Sequence, residues 1–154
     1  MTRAQLILAA SGGSAALLLA AWAFQHLGGL APCAMCIWQR WPHGVAALAG
    51  PLAIVLGGAL LPLAGMGAAL TTAGIGIYHT GVERDWWQGP ASCTSAPIEG
   101  LTPQELLAQI TAAPIVQCDQ VAWQMLGLSM ASWNAIASLI LAMIWGLAAM
   151  KSRS

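Results

Sequence analysis

The sequence predicts an all-α integral membrane protein, folded as a four-helix transmembrane bundle, and two observations support this. Hydrophobic residues make up 58% of the 154 residues and charged residues only 6%, whereas a soluble domain carries roughly 25% charged residues. The apolar residues are also gathered into long segments of about the 20 residues that a helix needs to cross a bilayer. Lipid is therefore the expected partner of most of the surface. The formal net charge of zero offers no basic patch to a nucleic acid.

Four segments fit this length, at about residues 6–24, 44–63, 64–82 and 126–150. Each is expected to be helical, because a backbone exposed to lipid must satisfy its own hydrogen bonds. A tight turn near Leu61–Gly65 separates the second segment from the third, and Pro51 is expected to kink the second. The whole chain, 1–154, is then a single membrane domain with outer loops at about 25–43 and 83–125.

The first segment is expected to remain in the protein, although it imitates a secretory signal. Arg3, an apolar run and the small residues of Ala21-Trp22-Ala23 match the signal pattern. The run is longer than a usual signal core, however, and the bulky Phe24 follows without a polar mature sequence.

Charged residues set the expected orientation. An even number of spans places both termini on one side, where Arg3, Lys151 and Arg153 lie, while the other side holds Arg40 and Arg84 together with all five acidic residues. The positive-inside rule then puts the termini in the cytoplasm. The outer loops contain every cysteine and are expected to face outward, into a compartment that in bacteria is oxidising and lets disulfides persist.

A short amphipathic helix is expected in the second outer loop. Thr102 is suited to be its N-cap, Pro103 its first residue and Glu105 the partner in a capping box, with Leu101 stapled to Leu106. The apolar stripe of this helix is formed by Leu106, Leu107 and Ile110. Such a stripe could lie on the membrane surface or pack on top of the bundle.

The first cysteine pair, Cys33 and Cys36, forms a Cys-X-X-Cys motif with Arg40 four residues further on. A helix N-terminus and a nearby cation favour the reactive thiolate, and a helical i, i+4 spacing would bring the guanidinium to the Cys36 sulfur. Because Pro42 fits only a first turn, the regular helix is expected to begin near Trp38–Trp41.

Other kinds of cysteine site fit the spacing less well. A structural zinc site usually has two short Cys-X-X-Cys knuckles, and Cys93 and Cys118 are too far apart in sequence for the second, so no metal is expected. Covalent haem needs a histidine directly after the motif, where Ile37 stands. A structural disulfide is a poor reading of Cys33–Cys36, since it would close almost no chain, but it remains open for Cys93–Cys118.

Several other residues near the outer face have ordinary explanations. Tryptophans collect at the membrane interface, although Trp38 and Trp41 flank the motif and could line a pocket for a flat ring. His26 and His43 are expected to be interface residues without a further role. Arg40 and His79 can also be interpreted as ordinary interface residues, because snorkelling side chains collect at this depth. The segment from Glu83 to Pro90 is expected to be a solvated loop face, and Asn134 to form a helix–helix hydrogen bond.

Taken together, the motifs resemble the bacterial disulfide bond formation protein B family, DsbB. The resemblance covers nearly the whole chain, and each of its pieces is short. The matching pieces are Trp22-Ala23-Phe24-Gln25-His26, Pro32-Cys33-Ala34-Met35-Cys36-Ile37-Trp38-Gln39-Arg40, His79-Thr80 and Trp123-Gln124-Met125-Leu126-Gly127-Leu128-Ser129-Met130.

The resemblance implies a membrane thiol oxidoreductase that reoxidises a periplasmic DsbA-like thioredoxin-fold oxidase and works as a monomer. Cys93 would form the mixed disulfide with that partner, and Cys118 would then exchange with Cys33. Cys36 would become the thiolate that faces a membrane quinone. These four cysteines are the implied catalytic residues.

The resemblance also implies a cofactor, either ubiquinone or menaquinone, held by Arg40 and His79. Gln39 and Pro42 depart from the best-known members, which affects the expected geometry around Arg40. Two alternatives remain at this point. A vitamin K epoxide reductase-like enzyme would carry the motif near the end of a late helix, and a disulfide-stapled membrane scaffold would have unreactive disulfides.

Overall fold

The computed structural model describes residues 1–94, 102–112 and 116–151. Long helices dominate these residues. They are α1 (Arg3–His26), α2 (Ala34–Leu56), α3 (Leu60–Glu83) and α5 (Met130–Met150), with the shorter α4 (Pro103–Ala112) and a hairpin of β1 (Gln124–Met125) and β2 (Leu128–Ser129) between the last two. Among the described residues, α1, α3 and α5 are long and apolar enough to cross a membrane. The chain is therefore a mostly helical, multi-pass membrane protein.

The four long helices close into a ring. α1 packs against α2, α2 against α3, α3 against α5, and α5 against α1, whereas α1 and α3 face each other diagonally with few contacts. At one end Lys151 donates a hydrogen bond to the Met1 carbonyl over 2.8 Å, and Arg3 donates to the carbonyl of Gly58. Met1, Lys151 and the α2–α3 turn therefore meet at one end of the bundle, opposite the cysteines.

Small residues let the helices approach closely at the end that holds the termini. The largest fully buried side chain, Trp145 of α5, lies in a core with Ile7, Ala53 and Ala69. A Cβ atom added at Gly65 would lie 2.5 Å from the Trp145 ring. Glycine is therefore required where α3 passes over this indole.

The ends of α2 differ from the sequence-based expectation. The helix begins at Ala34 rather than near Trp38–Trp41, because the Cys33 side chain caps it by accepting the Cys36 N–H, and Pro42 is held inside the helix. The turn to α3 also comes earlier than Leu61–Gly65. Gly57 and Gly58 have φ values of 75° and 71°, a conformation that glycine adopts without steric cost.

The last span begins at Met130 instead of Leu126. Leu126 and Gly127 both have positive φ, 54° and 76°, as the two central residues of a tight hairpin turn require. Helix then starts where the Ser129 side chain accepts the backbone N–H of Ser132.

The helix expected in the second outer loop is present as α4, and its capping box is confirmed. The Thr102 N–H donates to a Glu105 carboxylate oxygen over 2.8 Å, and the Glu105 N–H donates back to Thr102 Oγ1 over 3.4 Å. The proposed staple partner Leu101 lies outside the described residues. Leu107 and Ile110 are each 63% exposed, so the bundle does not cover this part of the stripe.

Replacing Gly65 by alanine should destabilise the bundle, since the new methyl group meets the Trp145 ring. We expect the free energy of unfolding in detergent to fall by about 1–3 kcal/mol, the usual cost of overpacking a core. Gly67→Ala is the matched control on the same helix, because a Cβ there meets nothing within 4 Å. Equal stabilities of the two variants would contradict the close packing of α3 on α5.

Candidate redox site

All four cysteines meet in one buried cluster at the end of the bundle opposite the termini. Cys33 and Cys36 are free thiols with their sulfurs 3.0 Å apart. Cys93 and Cys118 form a disulfide with a Cα–Cα distance of 5.3 Å. Cys33, Cys93 and Cys118 are at most 5% exposed and pack together with Val82. One oxidised pair and one reduced pair therefore share a single apolar environment.

Cys33 is the thiol that its surroundings favour as a thiolate. The Sγ atom of Cys36 lies 3.0 Å from its sulfur, the Cys36 backbone N–H donates to it over 3.3 Å, and His79 Nε2 lies 3.7 Å away. The hydrogen bond from the Cys36 thiol and then the contact with His79 hold the pKa of Cys33 well below its usual range, against the opposing effect of burial. In this redox state the anion-stabilising position belongs to Cys33, whereas the sequence favoured Cys36.

Arg40 lies one turn after Cys36 on α2, as its spacing predicted. Its Nη1 donates to Gln25 Oε1 of α1 over 2.7 Å, and its buried Nε has no hydrogen-bond partner among the described residues. The guanidinium is therefore positioned by α1, and its Nε–H is a buried donor that remains available.

His79 lies beside the dithiol, and Glu83 lies one turn further along α3. Their side chains are only 3% and 6% exposed, with His79 Nε2 and Glu83 Oε1 3.8 Å apart. The expectation of a solvated loop face is therefore wrong for Glu83, which is the last residue of α3 and turns inward. The donor atoms of Cys33, Cys36 and His79 lie within 4.8 Å of one another, and these are atom types that zinc accepts.

An apolar cavity of about 360 Å³ opens beside Cys36, between α1, α2 and α5. Its aromatic lining comes from Phe24, Trp123 and Trp133. Trp38 and Trp41, for which the sequence also allowed a place in such a pocket, do not belong to this lining, and both are substantially exposed. A smaller cavity of about 50 Å³ reaches Cys33, Cys36, Arg40, His79 and Glu83.

Polar side chains inside the bundle connect these parts. Gln39 and His43 of α2 are 6% and 3% exposed, so His43 is not the interface residue that the sequence suggested. Asn134 of α5 makes the expected helix–helix hydrogen bond, donating to Gln39 Oε1 over 2.7 Å. The i, i+4 spacing of Gln39 and His43 was the available signal that they share one helix face.

Two pairs of buried sulfurs at one end of an apolar helical bundle define a membrane thiol–disulfide oxidoreductase. A family model described as disulfide bond formation protein DsbB matches residues 3–148. The chain belongs to the DsbB family.

Curated relatives agree with this assignment. The disulfide bond formation protein B of Pasteurella multocida (strain Pm70) is 34% identical over 86% of this chain and 80% of its own length. The protein of the same name from Stutzerimonas stutzeri (strain A1501) is 31% identical over 86% and 85%. The one from Marinobacter nauticus is 33% identical over 79% and 77%. No solved structure matches the chain.

Replacing His79 by leucine should raise the pKa of the Cys33 thiol, because the sulfur loses a neighbouring N–H that stabilises its anion. We expect the ultraviolet absorbance of the thiolate to appear at higher pH in the reduced protein than it does for the wild type. His26→Leu, which replaces an exposed histidine, should leave the titration unchanged. An unaltered titration of His79→Leu would show that His79 does not act on Cys33.

Proposed function

We propose that this protein reoxidises a soluble DsbA-like oxidase in the periplasm and passes the electrons to membrane quinone. The main support is that the Cys93–Cys118 disulfide and the Cys33–Cys36 dithiol share one buried cluster, with a large apolar cavity beside Cys36. Thiol–disulfide exchange needs such proximity, because a thiolate must reach a disulfide sulfur to form the mixed disulfide.

We place the protein in the bacterial inner membrane with both termini in the cytoplasm. In this arrangement α2 is the fourth crossing, and the sulfur cluster lies at the periplasmic edge of the bilayer. Met1, Lys151 and the α2–α3 turn meet at one end, which agrees with the basic residues found there. The exposed Leu107 and Ile110 of α4 are then suited to rest on the membrane surface.

The exchange steps balance as follows. A thiolate of the reduced partner attacks Cys93, which breaks the Cys93–Cys118 bond and releases Cys118 as a thiolate. When the second partner thiol resolves the mixed disulfide, the partner leaves oxidised and this pair is reduced. If Cys33 and Cys36 are then oxidised, the Cys118 thiolate attacks Cys33 and releases Cys36 as a thiolate. Attack by Cys93 on Cys118 restores the outer disulfide, and two electrons and two protons now reside on Cys33 and Cys36.

This order explains how both motif cysteines can serve as thiolates. While Cys33 is the thiolate, its sulfur can accept from the Cys36 thiol 3.0 Å away and accepts the Cys36 backbone N–H. Once Cys33 is joined to Cys118 in a disulfide, Cys33 is no longer a thiolate. Cys36, which has left as a thiolate, then has no second negatively charged sulfur beside it. Cys36 also lines both cavities together with Arg40. Arg40 is therefore the cation available to the Cys36 anion in that state.

The larger cavity suits the ring of a quinone. Its walls are mostly apolar with a few polar side chains, as in sites for flat organic ligands, and its volume of about 360 Å³ lies at the small end of the range for such sites. Arg40 would hold a carbonyl oxygen, since its buried Nε has no other partner among the described residues. Bound quinone would supply the acceptor for two electrons and two protons.

Access to Cys93 must be gained during partner binding. Cys93 is 1% exposed, and its backbone N–H donates to the Pro90 carbonyl over 3.0 Å. A partner thiolate cannot reach this sulfur unless the surrounding loop is displaced. Burial would thereby protect the disulfide from small thiols.

Replacing Cys36 by serine should abolish quinone reduction, because the motif can no longer form or lose its disulfide. Exchange between the reduced partner and Cys93–Cys118 should persist in this variant. Both are measured by mixing purified protein with reduced partner and ubiquinone or menaquinone, following quinone absorbance and trapping the mixed disulfide. Full quinone reduction by Cys36→Ser, or none by the wild type, would refute the mechanism.

Replacing Arg40 by alanine should weaken the apparent quinone affinity by about 10-fold or more, the cost of losing a hydrogen bond from a charged group. Partner exchange at Cys93 should remain near normal. Arg84→Ala is the matched control at the same end of the bundle, where Arg84 lies 5.4 Å from the Trp86 ring centroid. If partner exchange failed while quinone affinity held, the role assigned to Arg40 would be wrong.

A further inference from the structure

A chain of hydrogen bonds crosses the bundle beside the redox site and joins two histidines through two amides. His43 Nε2 lies 2.9 Å from Asn134 Oδ1, Asn134 Nδ2 lies 2.7 Å from Gln39 Oε1, and Gln39 Nε2 lies 3.1 Å from His79 Nδ1. The four residues come from α2, α3 and α5. The direction in which each bond is donated decides which nitrogen of each imidazole carries its proton.

Two backbone carbonyls determine these directions. Gln39 Nε2 lies 3.2 Å from the Met35 carbonyl, which can only accept, so the amino group of Gln39 must face that side and Oε1 must face Asn134. Thr72 Oγ1 donates to the Gln39 carbonyl over 3.1 Å and is thereby left to accept from Asn134 Nδ2 at 3.1 Å. Rotating either amide by 180° would exchange its oxygen and nitrogen and place two acceptor oxygens next to each other.

The neutral histidines must then take complementary forms. His79 Nδ1 faces the Gln39 amino group and accepts, so its ring proton lies on Nε2, 3.7 Å from Cys33 Sγ. His43 Nε2 lies 2.9 Å from Asn134 Oδ1, which can only accept, and 3.4 Å from the Ser138 hydroxyl, which can accept as well. His43 Nε2 therefore donates, and its Nδ1 carries a lone pair. That Nδ1 is buried without a hydrogen-bond partner among the described residues, in a side chain that lines the larger cavity.

We propose that Gln39 and Asn134 are positioning residues that set the tautomers of both histidines, so that His79 presents a donor to Cys33 and His43 presents an acceptor to a hydroxyl group in the cavity. The second half rests on the proposed quinone site. An imidazole nitrogen without a proton cannot donate a hydrogen bond to a quinone carbonyl, but it can accept a hydrogen bond from a hydroxyl group. His43 would therefore recognise the reduced hydroquinone ligand, while Arg40 is the donor for the oxidised one.

The tautomers can be read directly by nitrogen NMR of the reduced, full-length protein labelled with ¹⁵N-histidine in detergent, above neutral pH. We expect His43 and His79 each to show a bare Nδ1 and a protonated Nε2 without exchange averaging. The exposed His26 should show averaged signals. A protonated Nδ1 on either buried ring of the wild type would overturn the proposal without any need for a variant.

Gln39→Glu separates tautomer control from simple packing. A carboxylate can only accept, so we expect Nδ1 of His79 to become protonated, while His43 is unchanged because Asn134 can still donate to the carboxylate. Thr80→Val is the matched control, since it removes another interhelical contact, partly buried and 3.1 Å long, to Ser132, and should change neither ring. An unprotonated Nδ1 on His79 in Gln39→Glu would refute the role of the amide.

The cavity half is tested by titrating the reduced protein with a short-chain benzohydroquinone. We expect the His43 Nδ1 resonance to move as it accepts a hydrogen bond, and His43→Leu to raise the dissociation constant about 5-fold, the equivalent of ~1 kcal/mol. Binding that leaves His43 unaffected would refute its acceptor role. Absence of binding would refute the proposed quinone site as well. Neither result would affect the tautomer assignment, because the tautomers are measured without ligand.

Discussion

Polar groups inside a lipid-embedded bundle have no water to pair with, and this constraint organises the cysteine end of the protein. The free N–H groups at the start of α2 need an acceptor, and the Cys33 sulfur supplies one by accepting the Cys36 N–H. The same cap holds that sulfur against the Cys36 thiol and near His79. The need to cap the start of α2 thus places the Cys33 thiol where its anion is stabilised.

The rest of the site follows from the position of this helix start. Because α2 begins at Ala34, Cys36 falls in its first turn and lines both cavities. Arg40 follows one turn later and is held by Gln25 of α1. The apolar cluster also includes Cys93 and Cys118, so that two sulfur pairs in opposite redox states lie side by side.

Much of the architecture could be predicted from local physical chemistry. Charge depletion and long apolar segments indicated membrane helices, and Thr102 with Glu105 indicated the start of α4. The predictions failed where local rules compete. The Cys33 cap prevailed over the preference of Pro42 for a first turn, and the positive φ angles of Gly57 and Gly58 ended α2 earlier than hydropathy suggested. Leu126 is apolar enough for the membrane-spanning helix α5, but it forms the hairpin turn that precedes this helix.

By itself the sequence determined the membrane class of the protein, the approximate positions of its long helices and the spacing of Arg40 from Cys36, because these depend on composition and short-range geometry. The redox pairing of Cys93 with Cys118 was implied by the family resemblance, and the structure shows the disulfide. Only the tertiary structure decided that His79 lies beside Cys33, that Glu83 turns inward, and that Trp123 rather than Trp38 lines the cavity. The physical reason is that the rotation of each helix about its own axis decides which side chains meet. Helices that are apolar on every side carry little amphipathic signal, so the face that each turns to its neighbours is set by interhelical packing and hydrogen bonds between residues far apart in the chain.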